Sequence, residues 1–178
     1  SGGTNATASG LTAGTYIVTI IDANACQITR TFTITEPTAL ASTTSQTNVS
    51  CNGGSNGSAT VTVTGGTGAY TYSWAPAGGT NATATGLSAG IYTVTILDAN
   101  SCALTQSFTI TEPTALVASI GSQADVSCAG ASDGTATVAV TGGTGTYTYA
   151  WAPSGGSNAT ASGLSAGTYI VTVVDANN

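Results

Sequence analysis

The sequence predicts an all-β protein, a rod of tandem small β-sandwich repeats of about 76 residues each. Three observations predict it. The first is internal repetition: Thr35-Glu36-Pro37-Thr38-Ala39-Leu40 recurs identically at 111–116, an offset of 76, and Val49-Ser50-Cys51 recurs at 126–128, an offset of 77. The second is apolar–polar alternation of period 2 in short stretches, the pattern of a half-buried strand. The third is dense punctuation by Gly, Asn, Asp and Pro between those stretches, with no segment of helical period long enough to matter.

The repeat boundaries follow from the offsets. Residues 1–40 read as the C-terminal half of one repeat, 41–116 as a complete repeat, and 117–178 as the N-terminal most of a third. Residues 1–24 match 154–177 at 20 of 24 positions, so the chain reads as a window on a longer repetitive protein. Nothing at Ser1 has the basic start and apolar core of a signal peptide.

Within the complete repeat the first clear strand is Val61-Thr62-Val63-Thr64. The second, Tyr70-Thr71-Tyr72-Ser73-Trp74, stacks three aromatics on one face. Tyr92-Thr93-Val94-Thr95-Ile96 is a third and Phe108-Thr109-Ile110-Thr111 a fourth. The predicted core is therefore Tyr72, Trp74, Tyr92, Val94 and Phe108, with Thr71, Thr93 and Thr109 on the wet face, where β-branched hydroxyl residues suit a sheet. Comparison between copies agrees: the position of Thr93 holds Ile17 and Ile170, whereas that of Tyr92 holds Tyr16 and Tyr169. Turns at Asn52-Gly53-Gly54, Gly65-Gly66-Thr67-Gly68, Pro76-Ala77-Gly78-Gly79 and Asp98-Ala99-Asn100 leave room for six or seven short strands. Strands of about ten residues would make each unit roughly 35 Å long.

Composition narrows function by exclusion. Thr, Ser, Gly and Ala fill 108 of the 178 positions, yet 41% of residues are hydrophobic and mean hydropathy is positive, which separates the chain from a disordered linker. Arg30 is the one cation against seven carboxylates, for a net charge of −6, so phosphate neutralisation and nucleic-acid binding are not expected. With no His and no Lys, most acid–base, Schiff-base and transition-metal chemistry has no side chain to carry it. The expectation is no enzyme, no catalytic or cofactor-binding residues and no cofactor. The longest apolar runs, such as Ile20-Ile21, are far too short to span a membrane. Calcium would need more oxygen ligands than Asp98 and Glu112 of the complete repeat supply locally, so the Asp and Asn residues read as turn formers and no metal site is expected. Asn-x-Ser/Thr sequons stand at Asn5, Asn48, Asn56, Asn81 and Asn158.

Two cysteines per repeat suggest disulfides, because small extracellular domains need staples. A bridge within the repeat, Cys51–Cys102, is the first choice; it closes a loop of some 50 residues. Against it, simple sandwich topology puts the two loops at opposite poles. Staples between neighbours, Cys26–Cys51 and Cys102–Cys128, or free thiols, stay open.

The stretch Leu87-Ser88-Ala89-Gly90-Ile91-Tyr92 resembles the corner before strand F of immunoglobulin-like and PKD-like domains, where a tyrosine hydroxyl bonds back to upstream backbone. A structural role for Tyr92 and a core role for Trp74 are weighed against sugar-stacking roles. The ordered set Val49-Ser50-Cys51-Asn52-Gly53-Gly54, Gly65-Gly66-Thr67-Gly68, Tyr70-Thr71-Tyr72-Ser73-Trp74, Leu87-Ser88-Ala89-Gly90, Tyr92-Thr93-Val94 and Asp98-Ala99-Asn100-Ser101-Cys102 resembles an SprB-type repeat across essentially the whole chain. That resemblance implies a large repetitive surface protein of Bacteroidota, exported by the type IX system, some members being mobile adhesins of gliding motility. The expected protein is an extracellular adhesin stalk or filament at the bacterial cell surface, whose partners are neighbouring chains, itself or surface glycans. The rival readings are a purely structural fibre or matrix protein and a polysaccharide-binding module accessory to a secreted enzyme.

Overall fold

The computed structural model describes residues 4–177; Ser1 and the other outermost positions lie outside them. Among the described residues the chain is all strand and turn, with no helix, and hence none long and apolar enough to cross a membrane. The strands are β1 (Gly14–Ile21), β2 (Gln27–Ile34), β3 (Ala41–Thr47), β4 (Gly57–Thr64), β5 (Thr71–Ala75), β6 (Thr83–Leu87), β7 (Gly90–Leu97), β8 (Ala103–Ile110), β9 (Val117–Ala124), β10 (Gly134–Thr141), β11 (Thr148–Ala152), β12 (Thr160–Leu164) and β13 (Ile170–Val174). None exceeds eight residues, shorter than the length expected from sequence, because glycine turns such as Gly65–Gly68, the Asp98-Ala99-Asn100 turn and the linkers end the runs.

The middle of the chain forms a sandwich of two antiparallel three-stranded sheets, β3-β4-β6 and β5-β7-β8. The alternation chooses the inner faces. On β7, Tyr92, Val94 and Ile96 are buried; on β8, Phe108 and Ile110; on β4, Ala59 and Val61; on β6, Ala84 and Leu87. Trp74 on β5 pairs with Val94 across the ladder and packs on Phe108, with ring centroids 5.3 Å apart at 41°. Its indole nitrogen donates to Asn81 O at 2.8 Å, so the polar edge of this large apolar side chain is satisfied. The Tyr92 hydroxyl donates to Ser88 O at 3.2 Å, the upstream bond of the tyrosine corner. Tyr16 and Tyr169 make the same bond in their copies, to Thr12 O and Ser165 O.

Two positions differ from the simple alternation. Tyr72 is half-buried, because it lies near the end of a five-residue strand. Thr93 is half-buried rather than open, because β7 is the central strand of its sheet and Ser107 flanks it, their hydroxyls 3.3 Å apart. Thr71 and Thr109 are exposed.

The flanking segments repeat parts of this sandwich. Sheets β9-β10-β12 and β11-β13 reproduce the middle topology, with Trp151 opposite Val171 as Trp74 is opposite Val94. The β1–β2 hairpin has the register of β7–β8, Gly14 facing Ile34 as Gly90 faces Ile110. Phe32 on that hairpin is 57% exposed, against 3% for its counterpart Phe108.

Candidate functional site

The richest set of long-range polar contacts lies where one repeat hands over to the next. In the middle sandwich the leading end holds Leu40, the Gly65–Gly68 turn and the Asp98-Ala99-Asn100 turn; the trailing end holds the 48–56 loop and Thr111. Between the trailing end and the third repeat runs Thr111-Glu112-Pro113-Thr114-Ala115-Leu116, and both halves of this linker are tied down.

Its first half belongs to the sandwich it leaves. Val49 N donates to Thr111 O at 2.9 Å, and Thr111 N donates to Asn48 Oδ1 at 3.1 Å. The Glu112 carboxylate accepts from Gly53 N at 2.7 Å and from Asn52 Nδ2 at 3.1 Å, and the same Asn52 amide reaches Pro113 O at 3.0 Å. Bonds to a carboxylate are the stronger kind, and Pro113 fixes its own φ, so little freedom remains.

The second half belongs to the sandwich it enters. Gly143 N donates to Thr114 O at 2.8 Å, as Gly66 N donates to Thr38 O at 2.7 Å one repeat earlier. The turn has to be glycine here. Gly142 has φ +76° and a Cβ on it would collide with Ala115 O; a Cβ on Gly143, φ +66°, would sit 2.8 Å from Asp175 Oδ2 and 3.0 Å from Leu116 Cδ1.

An aspartate holds that turn in the middle and third copies. Asp98 is 5% exposed and accepts from Thr67 N, Asn100 N and Cys102 N, each at 2.9 Å. Burial alone would raise its pKa, but the amides of Cys102, Thr67 and Asn100 together outweigh it and hold the carboxyl below its ordinary 3.8. Asp175 accepts from Thr144 N at 2.8 Å and Asn177 N at 2.9 Å. The adjoining Thr67 and Thr144 bury hydroxyl oxygens that have no hydrogen-bond partner.

Repeats also touch directly. Asn177 Nδ2 of the third repeat donates to Ser50 O of the middle one at 2.7 Å, across 127 positions of sequence. Beside that bond is a cavity of about 390 Å³ lined by Cys51, Asn52, Thr114, Leu116, Gly143 and Asp175. Asp133 stands where the middle repeat has Asn56; bonds from the Ser127 side chain and amide hold its pKa below 3.8.

The residues singled out from sequence fall as follows. Trp74, Tyr92, Val94 and Phe108 line the sandwich interior, with Tyr72 at its rim. The Cys51–Cys102 bridge is not made: all four cysteines are free, and Cys51 lies in the trailing-end loop while Cys102 follows the leading-end turn. The eight-residue strand β4 alone separates those ends by about 26 Å. The Cys26–Cys51 and Cys102–Cys128 staples meet the same obstacle, since each joins a leading-end turn to the trailing end of the following repeat. The roles of Glu112, Asn52 and Asn177 escaped the sequence reading; the signal was that Glu36 and Glu112 keep a charge at the same linker position in a nearly uncharged chain.

Comparison with known proteins gives a family match. The profile described as SprB repeat matches residues 43–79 and 120–157, the corresponding portion of each of the two copies. No curated protein matches the chain significantly. Among solved structures the chain is similar to the three N-terminal domains of the bacteriophage RB49 Highly Immunogenic Outer Capsid protein (Hoc), at 20% identity and a TM-score of 0.47, over 76% of this chain and 54% of that one. This chain thus spans about half the length of that structure.

Proposed function

From a chain that carries SprB repeats in tandem, we propose a non-enzymatic extracellular stalk on a bacterial surface, one that holds an adhesive or motility-related element away from the cell. The observation that carries this reading is the two-sided linker: Glu112 tied to Asn52 and Gly53 behind it, Thr114 tied to Gly143 ahead of it. A linker that served only to connect would be left solvated and free, as Gly/Ser linkers are. Here the chain spends a carboxylate, a proline and two positive-φ glycines on fixing one repeat against the next. The product is stiffness and reach.

The surface supports contact along the length as well as at the tip. The outer face of β7 and β8 offers Thr95, Thr105, Ser107 and Thr109, hydroxyls free of like-charge repulsion. The exposed strand edges lack the lysines that usually block edge-to-edge pairing. Neighbouring chains of the same kind, or a glycan coat, are the partners this surface suits.

Chains of two, four and eight repeats, compared by small-angle scattering at matched repeat concentration, test the reading. A maximum dimension that rises in proportion to repeat number supports a stiff stalk, and growth as the square root overturns it. A forward scattering that climbs with length beyond the chain's own mass would mark lateral association, the fibre reading.

A further inference from the structure

We propose that the third sandwich is an acceptor for the β1–β2 hairpin of a second copy of this chain, which enters by taking the place of β13. Each chain then carries a donor in β1–β2 and an acceptor in β9–β12, and copies join end to end. The inference goes beyond the stalk reading and stands without it.

The middle sandwich shows what fills such a site. Its β5-β7-β8 sheet closes the core with Phe108 and Ile110 of β8, 3% and 1% exposed. In the third repeat the corresponding sheet is β11-β13, and no described strand stands where β8 would. The gap is a groove of about 590 Å³ lined by Trp151, Val126, Gly134, Ala136, Val138 and Leu164. Trp151, Val126 and Ala136 are half-buried there, whereas their counterparts Trp74, Val49 and Ala59 are buried. Gly57 marks the contact that the groove lacks. A Cβ on it would lie 2.8 Å from Ile110 Cγ2, so the missing side chain is what admits the isoleucine. The third repeat keeps that glycine as Gly134, but the atoms nearest to the same point belong to Leu164, Ala124 and Val126.

The hairpin carries the residues that fit. Phe32 and Ile34 hold the places of Phe108 and Ile110 in the same register, and they stand 57% and 38% exposed. Strand β1 duplicates β13: Tyr16, Ile17, Val18 and Thr19 repeat Tyr169, Ile170, Val171 and Thr172. The ladders also fix how the hairpin enters. With its apolar face inward, β2 would meet β13 along the edge that already holds β1, so β2 cannot join β13 and keep its own partner. The hairpin therefore enters whole. Strand β1 replaces β13 on β11, with Val18 opposite Trp151, and the order β11-β1-β2 repeats β5-β7-β8. Exchange of β13 for β1 is like for like, since Tyr169 and Val171 come out as Tyr16 and Val18 go in. The net gain is burial of Phe32 and Ile34. Two polar partners wait on the acceptor: Gln123 stands where Gln46 reaches Thr109 O, and Ser119 where Ser42 accepts from Gln106, whose place Arg30 takes. The linker after the hairpin, 35–40, is identical to 111–116, which leads from the middle sandwich into the third. Donor and acceptor are different surfaces, so the contact is heterologous and extends from copy to copy.

The test uses the full chain under reducing conditions, so that no disulfide contributes. Sedimentation velocity at rising concentration is expected to show mass climbing through multiples of the single chain without stopping at two. Phe32 is open in the separate, dilute chain, so Phe32→Ala is expected to keep its strands by circular dichroism and to assemble about tenfold more weakly or worse. That variant still has its groove, so a minor fraction of it mixed into the parent chain caps growing ends and shortens the assemblies. Thr31→Ala, on the opposite face of β2, is expected to change neither. Hydrogen exchange reads the swap itself: on assembly the amides of β13 lose protection and those of β1 gain it. A single chain at every concentration, or Phe32→Ala chains that assemble as the parent does, overturns the proposal. Assemblies in which β13 keeps its protection also overturn it, and mark lateral packing of intact sandwiches instead.

Discussion

At the scale of single residues, the aspartates that hold turns set the acid limit of the fold. Asp98 and Asp133 both titrate below 3.8 in the folded chain, because their charged forms accept backbone and hydroxyl bonds that unfolding would break. The unfolded state then binds protons first as pH falls. Stability from these two groups is complete above about pH 5 and is lost as pH drops through 3.8 and below. Urea midpoints from pH 6 down to pH 2 should show this fall, with Asp98→Asn flattening it; an unchanged slope in that variant would contradict the assignment. Thr67 and Thr144 make the opposite case. Each buries a hydroxyl without a partner, which costs free energy, so Thr67→Val should leave stability unchanged or raise it by up to about 1 kcal/mol. A loss above that size by chemical denaturation would show that the hydroxyl is satisfied in solution.

At the scale of elements, one side chain in two settings separates burial from propensity. Phe108 on β8 and Phe32 on β2 hold the same place in the same hairpin register, at 3% and 57% exposure. Phe108→Ala should cost about 3–5 kcal/mol of the middle sandwich, since it removes the ring that Trp74 packs on. Phe32→Ala should cost less than about 1 kcal/mol. Equal costs would mean that the hairpin is covered in solution. The strands legible in the sequence were those with large inward residues at period 2: β4, β5, β7 and β8. Strand β3, Ala-Ser-Thr-Thr-Ser-Gln-Thr, was not, because an edge strand that buries almost nothing leaves no alternation to read. Besides its ladder to β4, two side-chain bonds fasten it from across the sandwich: Gln46 Nε2 reaches Thr109 O at 2.7 Å, and Gln106 Nε2 reaches Ser42 Oγ at 3.1 Å. Strand β6 hid for another reason. Its inward residues are Ala84, with no exposed surface, and Leu87, and an alanine core position looks like any other alanine in a chain holding 29 of them.

At the scale of the whole molecule, the junction was the least legible part, since its long-range partners lie 28 to 127 positions apart and its donors are mostly backbone amides. It is also the part most open to separation of effects. Glu112→Ala should change the unfolding of either sandwich by no more than about 1 kcal/mol, because the carboxylate is exposed and outside the cores. The relative tumbling of neighbouring repeats should nonetheless rise, as read by residual dipolar couplings that no longer fit one alignment tensor. Gly142→Ala should do the same more strongly, since its new methyl group displaces the linker at Ala115 and strains a positive-φ turn. A single tensor in both variants would show that the linker bonds do not set the angle between repeats.

The two-sided linker has a geometric consequence beyond stiffness. Thr38 meets Gly66 and Thr114 meets Gly143 through the same bond, at 2.7 and 2.8 Å, so the linker enters both sandwiches alike; handovers whose other half is also held alike apply the same rotation and translation. Any rigid step applied over and over traces a screw. A long chain of these repeats is then a helical object whose pitch is written in six linker residues. A partner that grips the hydroxyl-lined face meets it again only after a fixed advance and turn. Selection on that spacing would act on Glu112 and Gly142 rather than on the face itself.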